Sequence, residues 1–218
     1  MNISDPLVSI VLCTYNRVSL LPRAIHSVLR QSYSEWELII IDDGSTDSTR
    51  RIVKTVIPDD RQIRYYHQKN KGLALARNAG LKKAKGEFIT FIDSDDEYAA
   101  DHLSLRVRYL MKHPRTAMIH GGIQLIGPRQ KHFVVDLKNP LRKIHLRKCH
   151  IGGTFFMRKE VVQKTGGFRK IPFGEDFDLY TRAKEHFHVT KVPFPTYRYY
   201  LDADDRLCDV FTKEMMKR

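Results

Sequence analysis

Apolar runs typical of buried strands recur through the first half of the chain, and segments with helical spacing lie between them. The runs cover residues 7–13, 37–41, 63–66 and 88–92. Residues 20–31 and 72–84 have the spacing of amphipathic helices, and Ser45 or Thr46 is expected to cap a further helix. Strands that are apolar on both faces and alternate with helices form parallel sheets covered on both sides. The sequence therefore predicts an α/β fold with a mostly parallel sheet and helices on both faces.

The second half of the chain is less regular. We predict a strand over residues 117–126, a loop and strand over 151–157, helices over 161–165 and 175–186, and a last strand over 196–201. Residues 127–150 are basic and broken by prolines, so no element is assigned to them. Since no low-complexity linker separates the halves, we expect a single domain over residues 1–218, in which the irregular half completes the same compact body.

Composition limits the class of protein. The 218 residues are 42% hydrophobic, enough for one sizeable core, and the net charge of +13 favours anionic partners such as nucleotides, nucleic acid or acidic lipid. Three widely spaced cysteines, Cys13, Cys149 and Cys208, argue against a disulfide framework or zinc site and fit a reducing compartment. We see no signal peptide and no apolar stretch near the ~20 residues of a membrane-spanning helix. The chain is therefore expected to be cytoplasmic, soluble or peripherally attached to a membrane.

The fourth apolar run ends in a cluster of acids, Asp93-Ser94-Asp95-Asp96. In open α/β sheets ligands bind at the carboxyl ends of the strands, where these carboxylates are expected to lie. Asp93 and Asp95 together can hold a hard divalent cation, and that cation can bind a diphosphate. The alternative is a solvated acidic turn without a ligand.

Polar residues also follow the other strands of the predicted sheet. They are Thr14-Tyr15-Asn16-Arg17, Asp42-Asp43, and the helix opened by Gly72 that carries Arg77 and Asn78. Because the carboxyl ends of parallel strands lie side by side, these residues are expected to line one crevice. An aromatic ring, an acid that can accept a base N–H and a helix beginning at a glycine together indicate a nucleoside diphosphate site.

With two further segments from the second half, these motifs resemble the family-2 glycosyltransferases of the GT-A fold. The segments are VSIVLCTYNR, IIIDDGSTD, KGLALARNAGL, KGEFITFIDSDD, GGTFFMRKEVVQKTGGF and GED. They occur in the family's order between residues 7 and 182. The resemblance implies a Rossmann-like GT-A sheet and an inverting transferase that uses a nucleotide-sugar donor with Mn²⁺ or Mg²⁺. Residues 1–98 would bind the nucleotide sugar, and residues 99–218 would bind the acceptor and supply the catalytic base.

The resemblance also implies roles for individual residues of the first half. The nucleotide-binding positions are Thr14, Tyr15, Asn16, Asp43, Gly72, Arg77 and Ser94. Asp95 would coordinate the metal, and Asp93 would lie near the ribose or the metal. Asp43 would accept a hydrogen bond from a ring N–H of the base, which favours uridine and therefore a UDP-sugar donor.

In the second half the resemblance implies that Asp176 is the catalytic base. Inversion needs one carboxylate that takes the proton of the attacking hydroxyl, and the start of a helix stabilises an ionised acid. Glu175 would support Asp176 or contact the acceptor, although both acids can simply complement the helix dipole. Gly152 and Gly153 would let the backbone pass close to the donor sugar or acceptor.

Several of these positions have a structural alternative. Tyr15 can be a core aromatic at a strand edge. Asp42 and Asp43 can be turn and cap residues, and Asp42 can point into the structure. Arg77 can pair with any surface acid. Asn78 is expected to tie its helix to the loop of Asp93.

One position departs from the family pattern. Many relatives have a metal-binding histidine in a Tyr-Arg-x-His sequence, where this chain has Tyr197-Arg198-Tyr199-Tyr200. Tyrosine is a poor ligand for Mg²⁺ or Mn²⁺ at neutral pH. Either Asp202 or a water molecule takes the place of the histidine, or the metal binds more weakly.

Residues 129–148 form a basic segment with a single acid, Asp136. Its cationic residues are Arg129, Lys131, Lys138, Arg142, Lys143, Arg147 and Lys148. Such a segment can bind anionic lipid headgroups or a lipid-diphosphate acceptor at the inner face of the cell membrane. The alternative is a mobile, solvated loop.

The leading hypothesis is a bacterial-type transferase that moves a sugar from a UDP-sugar to a glycan or lipid-linked acceptor in cell-surface polysaccharide synthesis. The alternative is a non-catalytic, glycosyltransferase-like protein that binds nucleotides or nucleic acid. No zinc finger, basic helix or paired RNA-binding aromatics is visible in the sequence, so no nucleic-acid partner is expected. A sugar nucleotidyltransferase generally has a glycine-rich, basic loop after the first strand, and this chain does not.

Overall fold

The computed structural model of the chain describes residues 5–57, 62–136, 139–203, 206 and 208–210. Lys138 of the basic segment and the first four residues, on which the signal-peptide prediction partly rests, lie outside the described residues. The strands are β1 (Val8–Thr14), β2 (Trp36–Asp42), β3 (Ile63–His67), β4 (Phe88–Asp93), β5 (Glu97–Tyr98), β6 (Thr116–His120), β7 (Ile123–Ile126), β8 (Phe133–Asp136), β9 (Asn139–His145), β10 (Phe156–Arg158), β11 (His188–Lys191) and β12 (Tyr197–Tyr200). The helices are α1 (Leu21–Leu29), α2 (Thr49–Val56), α3 (Leu73–Leu81), α4 (His102–Lys112), α5 (Lys159–Thr165) and α6 (Glu175–His186).

The main sheet has the strand order β11-β6-β10-β4-β1-β2-β3. β1 pairs in parallel with β2 and β4, and β2 pairs in parallel with β3. β10 is antiparallel to β4 and β6, while β11 pairs in parallel with β6. The predicted α/β fold with a mostly parallel sheet is confirmed, and strands from both halves of the chain belong to this sheet.

Helices cover both faces of the main sheet, which explains the apolar strand runs. All seven residues of β1 and all seven of β2 are buried. Alternate residues of β1 face opposite sides, so Ile10 packs in a cluster with α1, α2 and α4, whereas Val11 packs with α3, α5 and α6. Burial of apolar surface contributes roughly 25 cal/mol per Å², so this two-sided burial strongly favours the sheet.

The strand predicted over residues 117–126 is in fact two strands in two sheets. β6 belongs to the main sheet, whereas β7 belongs to a small sheet with the order β5-β12-β7. Gly121 and Gly122 separate them with φ angles of 92° and 74°, a left-handed backbone that favours glycine. The small sheet places β12 beside the end of β4, because β5 follows β4 directly and pairs with β12.

The start of α2 also differs from the prediction. The helix begins at Thr49, so the prediction that Ser45 or Thr46 caps it is wrong. The Ser45 hydroxyl instead accepts a 2.9 Å hydrogen bond from the Asn16 N–H, and the Thr46 N–H donates to the Asn16 side chain. These residues therefore connect the loop after β2 to the loop after β1.

Residues 127–150, which the sequence leaves unassigned, contain an antiparallel hairpin of β8 and β9. Several cations of the basic segment are exposed on it or beside it, namely Arg129, Arg142, Lys143, Arg147 and Lys148. Within the described ranges, no helix combines the length and the hydrophobicity needed to cross a membrane.

Candidate active site

The carboxyl ends of β2, β1 and β4 are neighbours in the main sheet. In the parallel register Thr14 pairs with Asp42, and Cys13 pairs with Asp93. The polar residues that follow these strands therefore meet at one edge of the sheet, as the sequence predicts.

Arg77 of α3 joins the end of β4 to the start of α6. Its side chain is 3% exposed and donates hydrogen bonds to Asp176 Oδ1 at 2.6 Å and to Asp93 Oδ1 at 2.9 Å. A carboxylate oxygen of Glu175 lies 3.7 Å from the same guanidinium. Burial lowers the pKa of Arg77, but the three carboxylates outweigh burial and raise this pKa well above its ordinary value. We call Asp93, Glu175 and Asp176 the carboxylate cluster, and Arg77 is its buried counter-ion.

Asp176 lies in the first turn of α6 and is held by two hydrogen bonds. Its Oδ2 accepts from the Gly152 N–H at 2.7 Å, while its Oδ1 accepts from Arg77. Burial raises the pKa of Asp176 to about 6, against the opposing charge of Arg77 and with the help of the neighbouring acids. A carboxylate with this pKa is ionised at neutral pH and is a stronger base than an ordinary aspartate. The geometry therefore suits a general base.

Gly152 and Gly153 allow close packing around this carboxylate. A Cβ atom on Gly152 would lie 2.3 Å from Asp176 Oδ1, and one on Gly153 would lie 2.1 Å from the Tyr197 hydroxyl oxygen. Both distances are shorter than any non-bonded contact, so a larger residue would displace Asp176 or Tyr197. The predicted approach of these glycines to a donor sugar or acceptor stays a prediction.

Asp96 has a structural role beside the Asp-x-Asp pair. Its carboxylate is buried and accepts hydrogen bonds from the Tyr197 hydroxyl at 2.7 Å and from the Tyr200 N–H at 2.8 Å. The Tyr197 hydroxyl oxygen also accepts from the Asp93 N–H at 3.3 Å. Asp96 and Tyr197 therefore fasten the end of β4 to β12, while Ser94 is buried between the two candidate metal ligands.

Asp93 and Asp95 fit a divalent metal by their donor chemistry. Mg²⁺ and Mn²⁺ prefer carboxylate oxygens, and Mg²⁺ sites often have one or two carboxylates completed by phosphate oxygens and water. In the part of the chain that the structure describes, no group of three or more His, Cys, Asp or Glu side chains is arranged to hold a metal. Burial and the charge of Asp93 raise the pKa of Asp95 to about 6, while Arg17 and Arg23 lower it. The pair therefore fits an open site that a diphosphate would complete.

Arg23 of α1 contacts Tyr200, which occupies the position of the family's metal-binding histidine, and Asp202, the candidate replacement ligand. Its guanidinium lies 3.6 Å from the centroid of the Tyr200 ring and donates to Asp202 Oδ2 at 3.1 Å. The same guanidinium donates to the main-chain carbonyl of Asp95. The Tyr200 hydroxyl donates to Glu97 at 2.8 Å. A metal ion would have to compete with Arg23 for Asp202, and the substitution of Asp202 for histidine stays a prediction.

Asp42 and Asn78 act within the structure itself. Asp42 accepts hydrogen bonds from the Tyr65 hydroxyl at 2.5 Å and the Ser45 N–H at 2.8 Å, which agrees with its structural alternative. Asn78 donates to the Phe168 carbonyl at 2.7 Å and accepts from the Phe168 N–H at 2.9 Å. Asn78 therefore ties α3 to the turn after α5, and the prediction that it ties α3 to the loop after β4 is wrong.

Asp43 holds the loop that precedes α3. Its carboxylate accepts from the Gly72 N–H at 2.8 Å, the Lys71 N–H at 3.1 Å and the Gln68 side-chain amide at 2.7 Å. Gly72 is the N-cap residue of α3, with a φ of 88°, and a Cβ there would meet nothing within 4 Å. A base N–H would have to replace the Gln68 amide, so recognition of a base by Asp43 stays a prediction.

The residues after β1 place an aromatic ring in solvent. Tyr15 is 47% exposed, so the alternative that it is a core aromatic is wrong. Asn16 adopts a left-handed φ of 51°, and its side chain accepts a 2.8 Å hydrogen bond from the Thr46 N–H.

The Thr14 hydroxyl is buried and has no hydrogen-bond partner among the residues described here. A buried hydroxyl without a hydrogen bond costs free energy, so a ligand that forms a hydrogen bond with Thr14 would gain binding free energy from it.

The sequence motifs do not reveal the roles of Tyr197 and Arg23. The only sequence signal for Tyr197 is its place at the start of the Tyr-Arg-x-Tyr segment, which corresponds to the family's Tyr-Arg-x-His. Arg23 carries no such signal, because its partners lie 72 and 179 residues away in the chain.

Comparisons with known proteins show the family of the chain. Residues 9–166 match the family model described as Glycosyl transferase family 2. WfgD of Escherichia coli, named UDP-Glc:alpha-D-GlcNAc-diphosphoundecaprenol beta-1,3-glucosyltransferase, is 36% identical over 151 residues, which cover 68% of this chain and 58% of WfgD. TuaG of Bacillus subtilis (strain 168), named for teichuronic acid biosynthesis, is 41% identical over 108 residues, which cover 49% of this chain and 43% of TuaG. The chain spans only 21% of an uncharacterized glycosyltransferase of Rickettsia felis that is 38% identical over 129 residues.

Solved structures share the fold at low sequence identity. S. aureus TarS 1-349 in complex with UDP-GlcNAc superposes with a TM-score of 0.76 at 21% identity, covering 92% of this chain and 60% of TarS. The mannosyltransferase PcManGT of Pyrobaculum calidifontis, in complex with GDP-Man and Mn²⁺, gives a TM-score of 0.73 at 21% identity, covering 96% of this chain and 60% of PcManGT. Both likenesses show the GT-A fold.

Proposed function

This chain belongs to glycosyltransferase family 2, and we propose that it is an inverting transferase of cell-surface polysaccharide synthesis. It moves a sugar from a nucleoside diphosphate donor, with UDP as the nucleotide, to a hydroxyl of a glycan or lipid-linked acceptor. The observation that carries the proposal is the Arg77 bridge, which holds the candidate metal ligand Asp93 and the candidate base Asp176 on one guanidinium. The names of the relatives support the substrate classes, since WfgD takes UDP-Glc and a diphosphoundecaprenol-linked acceptor.

In the proposed reaction Asp176 takes the proton of the acceptor hydroxyl. The hydroxyl oxygen forms a bond to the anomeric carbon as the bond from that carbon to the diphosphate oxygen breaks on the opposite face. The nucleoside diphosphate leaves with the electron pair of the broken bond, so the configuration at the anomeric carbon inverts. Arg77 and the Gly152 N–H hold Asp176 in place throughout this step.

The donor is bound by the edge of the sheet where the strands end. Asp93 and Asp95 would hold Mn²⁺ or Mg²⁺, which when bound neutralises negative charge on the diphosphate. The exposed ring of Tyr15 offers a surface on which a base can stack, and the Thr14 hydroxyl offers a hydrogen bond.

Metal-dependent nucleotide binding tests the donor side of this proposal. We expect UDP to bind more tightly with Mn²⁺ than without it, and we expect Asp95→Asn to remove that difference because it removes one anionic ligand. Calorimetric titrations with UDP, GDP, CDP and dTDP measure both the nucleotide preference and its dependence on Mn²⁺.

The matched control for this titration is Asp101→Asn, which changes an exposed acid beside α4 and should behave like the parent. If Mn²⁺ tightens UDP binding equally in the Asp95 variant and the parent, the metal assignment is wrong. If none of the four nucleotides binds, the proposed function itself fails.

The hairpin of β8 and β9 is proposed as the contact with an anionic membrane surface. Leu141 is 99% exposed and Phe133 is 50% exposed, while Arg142 and Lys143 follow Leu141 directly and are exposed as well. Exposed apolar side chains flanked by cations suit the interface of an anionic bilayer, where each cation contributes about 1 kcal/mol. A lipid-linked acceptor would be met at that surface.

Vesicle sedimentation tests this contact. The protein is expected to sediment with vesicles that contain anionic lipid at low salt and to be released at high salt, because salt screens the attraction. A variant with Arg142, Lys143, Arg147 and Lys148 replaced by glutamine should lose most of this binding and keep its UDP affinity. The control variant changes as many exposed cations on α2 and next to α3, namely Arg50, Arg51, Lys54 and Lys82. Equal losses in both variants would show that net charge, and not the hairpin, drives membrane binding.

A further inference from the structure

Four aromatic rings gather beside the start of α6, and none of them belongs to a residue assigned to the nucleotide. His150 packs on Tyr180 with ring centroids 3.8 Å apart and on Phe177 with centroids 5.4 Å apart. His120 lies 5.0 Å from Tyr180 and 5.1 Å from His150 by the same measure. We call His120, His150, Phe177 and Tyr180 the aromatic cluster.

The chain places this cluster next to the candidate base. Phe177 follows Asp176 directly on α6, and Tyr180 lies one helical turn further along. His150 precedes Gly152 by two residues, and the Gly152 N–H donates to Asp176. Two separate segments therefore bring aromatic rings to the surroundings of one carboxylate.

The cluster combines an accessible ring with two uncharged imidazoles, of which His120 is buried and His150 is partly buried. Phe177 is 42% exposed, although it contacts the rings beside it. Burial lowers the pKa of His120 to about 4, and burial also lowers the pKa of His150. Both imidazoles are therefore neutral at pH 7, and the cluster presents an apolar face with polar ring edges.

We propose that the aromatic cluster is the platform on which the sugar ring of the acceptor stacks, with Phe177 as its accessible surface. The inference rests on the proposed function and names the acceptor end of that site. One face of a pyranose ring carries C–H groups and packs against an aromatic ring, while its hydroxyls stay free to form hydrogen bonds. A sugar held on Phe177 would lie near Asp176, because the Phe177 ring packs on His150 and the N–H of Gly152, two residues after His150, donates to Asp176.

Direct binding of simple glycosides tests the platform. The probes are methyl glycosides of glucose, galactose, mannose and N-acetylglucosamine, added to the protein with UDP and Mn²⁺ and followed by saturation-transfer NMR. At least one probe should bind the parent, with the strongest transfer at the C–H face of the sugar ring. Phe177→Ala should weaken that binding about tenfold or more, and Phe177→Tyr should restore it, because the stacking surface returns.

UDP calorimetry on each variant separates loss of the platform from loss of the fold. UDP affinity should be unchanged by Phe177→Ala, and the matched control Met111→Ala, an exposed apolar residue of α4, should leave both ligands unaffected. The inference is overturned if no probe binds a parent that binds UDP, or if Phe177→Ala binds the probe as the parent does. It is also overturned if the variant loses UDP affinity together with the probe. A parent that binds no nucleotide overturns the proposed function and this inference with it.

Discussion

Replacing Asp176 by asparagine is expected to lower kcat for sugar transfer by about 10²–10⁴-fold, because the variant lacks the general base. Asparagine has nearly the same size, and its amide oxygen can still accept the N–H of Gly152. The fold and the affinity for UDP are therefore expected to persist. UDP release during transfer measures the loss of activity, and calorimetry with UDP checks that the donor site is intact.

The pH dependence of the parent provides a second test of this role. Asp176 must be ionised to accept a proton, and burial raises its pKa to about 6. The parent's kcat/KM should therefore be level at neutral pH and should fall as the pH drops through about 6. Because the pKa of Asp95 is also raised to about 6, the profiles are compared at saturating Mn²⁺, which keeps Asp95 ionised. Under these conditions the residual activity of Asp176→Asn should lack this acidic limb. Glu185→Gln, an exposed acid on the same helix, is the control and should keep the parent's rate and profile. An Asp176→Asn variant with the parent's kcat would exclude this residue as the base.

Replacing Arg77 by glutamine is expected to lower the free energy of unfolding by about 3 kcal/mol at neutral pH, since breaking a buried ion pair leaves uncompensated charge. The variant leaves the carboxylate cluster of Asp93, Glu175 and Asp176 without the cation that they share. Without Arg77, burial and the neighbouring acids would hold the pKa of Asp176 in the folded state further above its unfolded-state value. The destabilisation from Asp176 is therefore present above this raised pKa and shrinks as the pH falls through it.

Urea unfolding at neutral and at acidic pH measures both parts of this expectation. Arg198→Gln is the matched control, because Arg198 is 40% exposed and pairs with Glu97 at 3.3 Å. Exposed ion pairs contribute about 0–1 kcal/mol, so this control should change stability little. If Arg77→Gln were as stable as the control at neutral pH, the buried counter-ion role of Arg77 would be wrong.

The main sheet is predictable from sequence because helices bury both of its faces, so nearly every residue of a central strand must be apolar. β1 and β2 are buried along their whole length, and the apolar runs mark them clearly. α4 is not predictable in this way, because His102 and Arg106 are buried on its inner side. Arg106 donates to the Thr196 hydroxyl at 2.6 Å, a distant partner that no local pattern reveals. β11 is short and partly exposed, so its sequence lacks an apolar run.

In the candidate site too, features set by neighbouring residues in the sequence are predictable, whereas contacts between distant residues are not. The order of the polar clusters follows from the order of the strands, and the register of β1 with β2 and β4 brings them together. The contacts of Arg77 depend on residues 16 and 99 positions away, so the sequence motif suggests an anion-binding arginine but not which anions it binds. Asp43 accepts hydrogen bonds from the main chain of the loop before α3, which agrees with its alternative as a turn or cap residue, but the sequence does not identify that loop as its partner.

The configuration of the newly formed glycosidic bond tests the central claim most directly. We would incubate the protein with Mn²⁺, an α-linked UDP-sugar that it binds and a saccharide acceptor, and follow the anomeric protons by NMR from the first turnovers. An inverting transferase with Asp176 as its base must give a β-linked product in the parent and little or no product with Asp176→Asn. A first-formed α-linked product, or a β-linked product formed equally fast by the variant, would contradict the account.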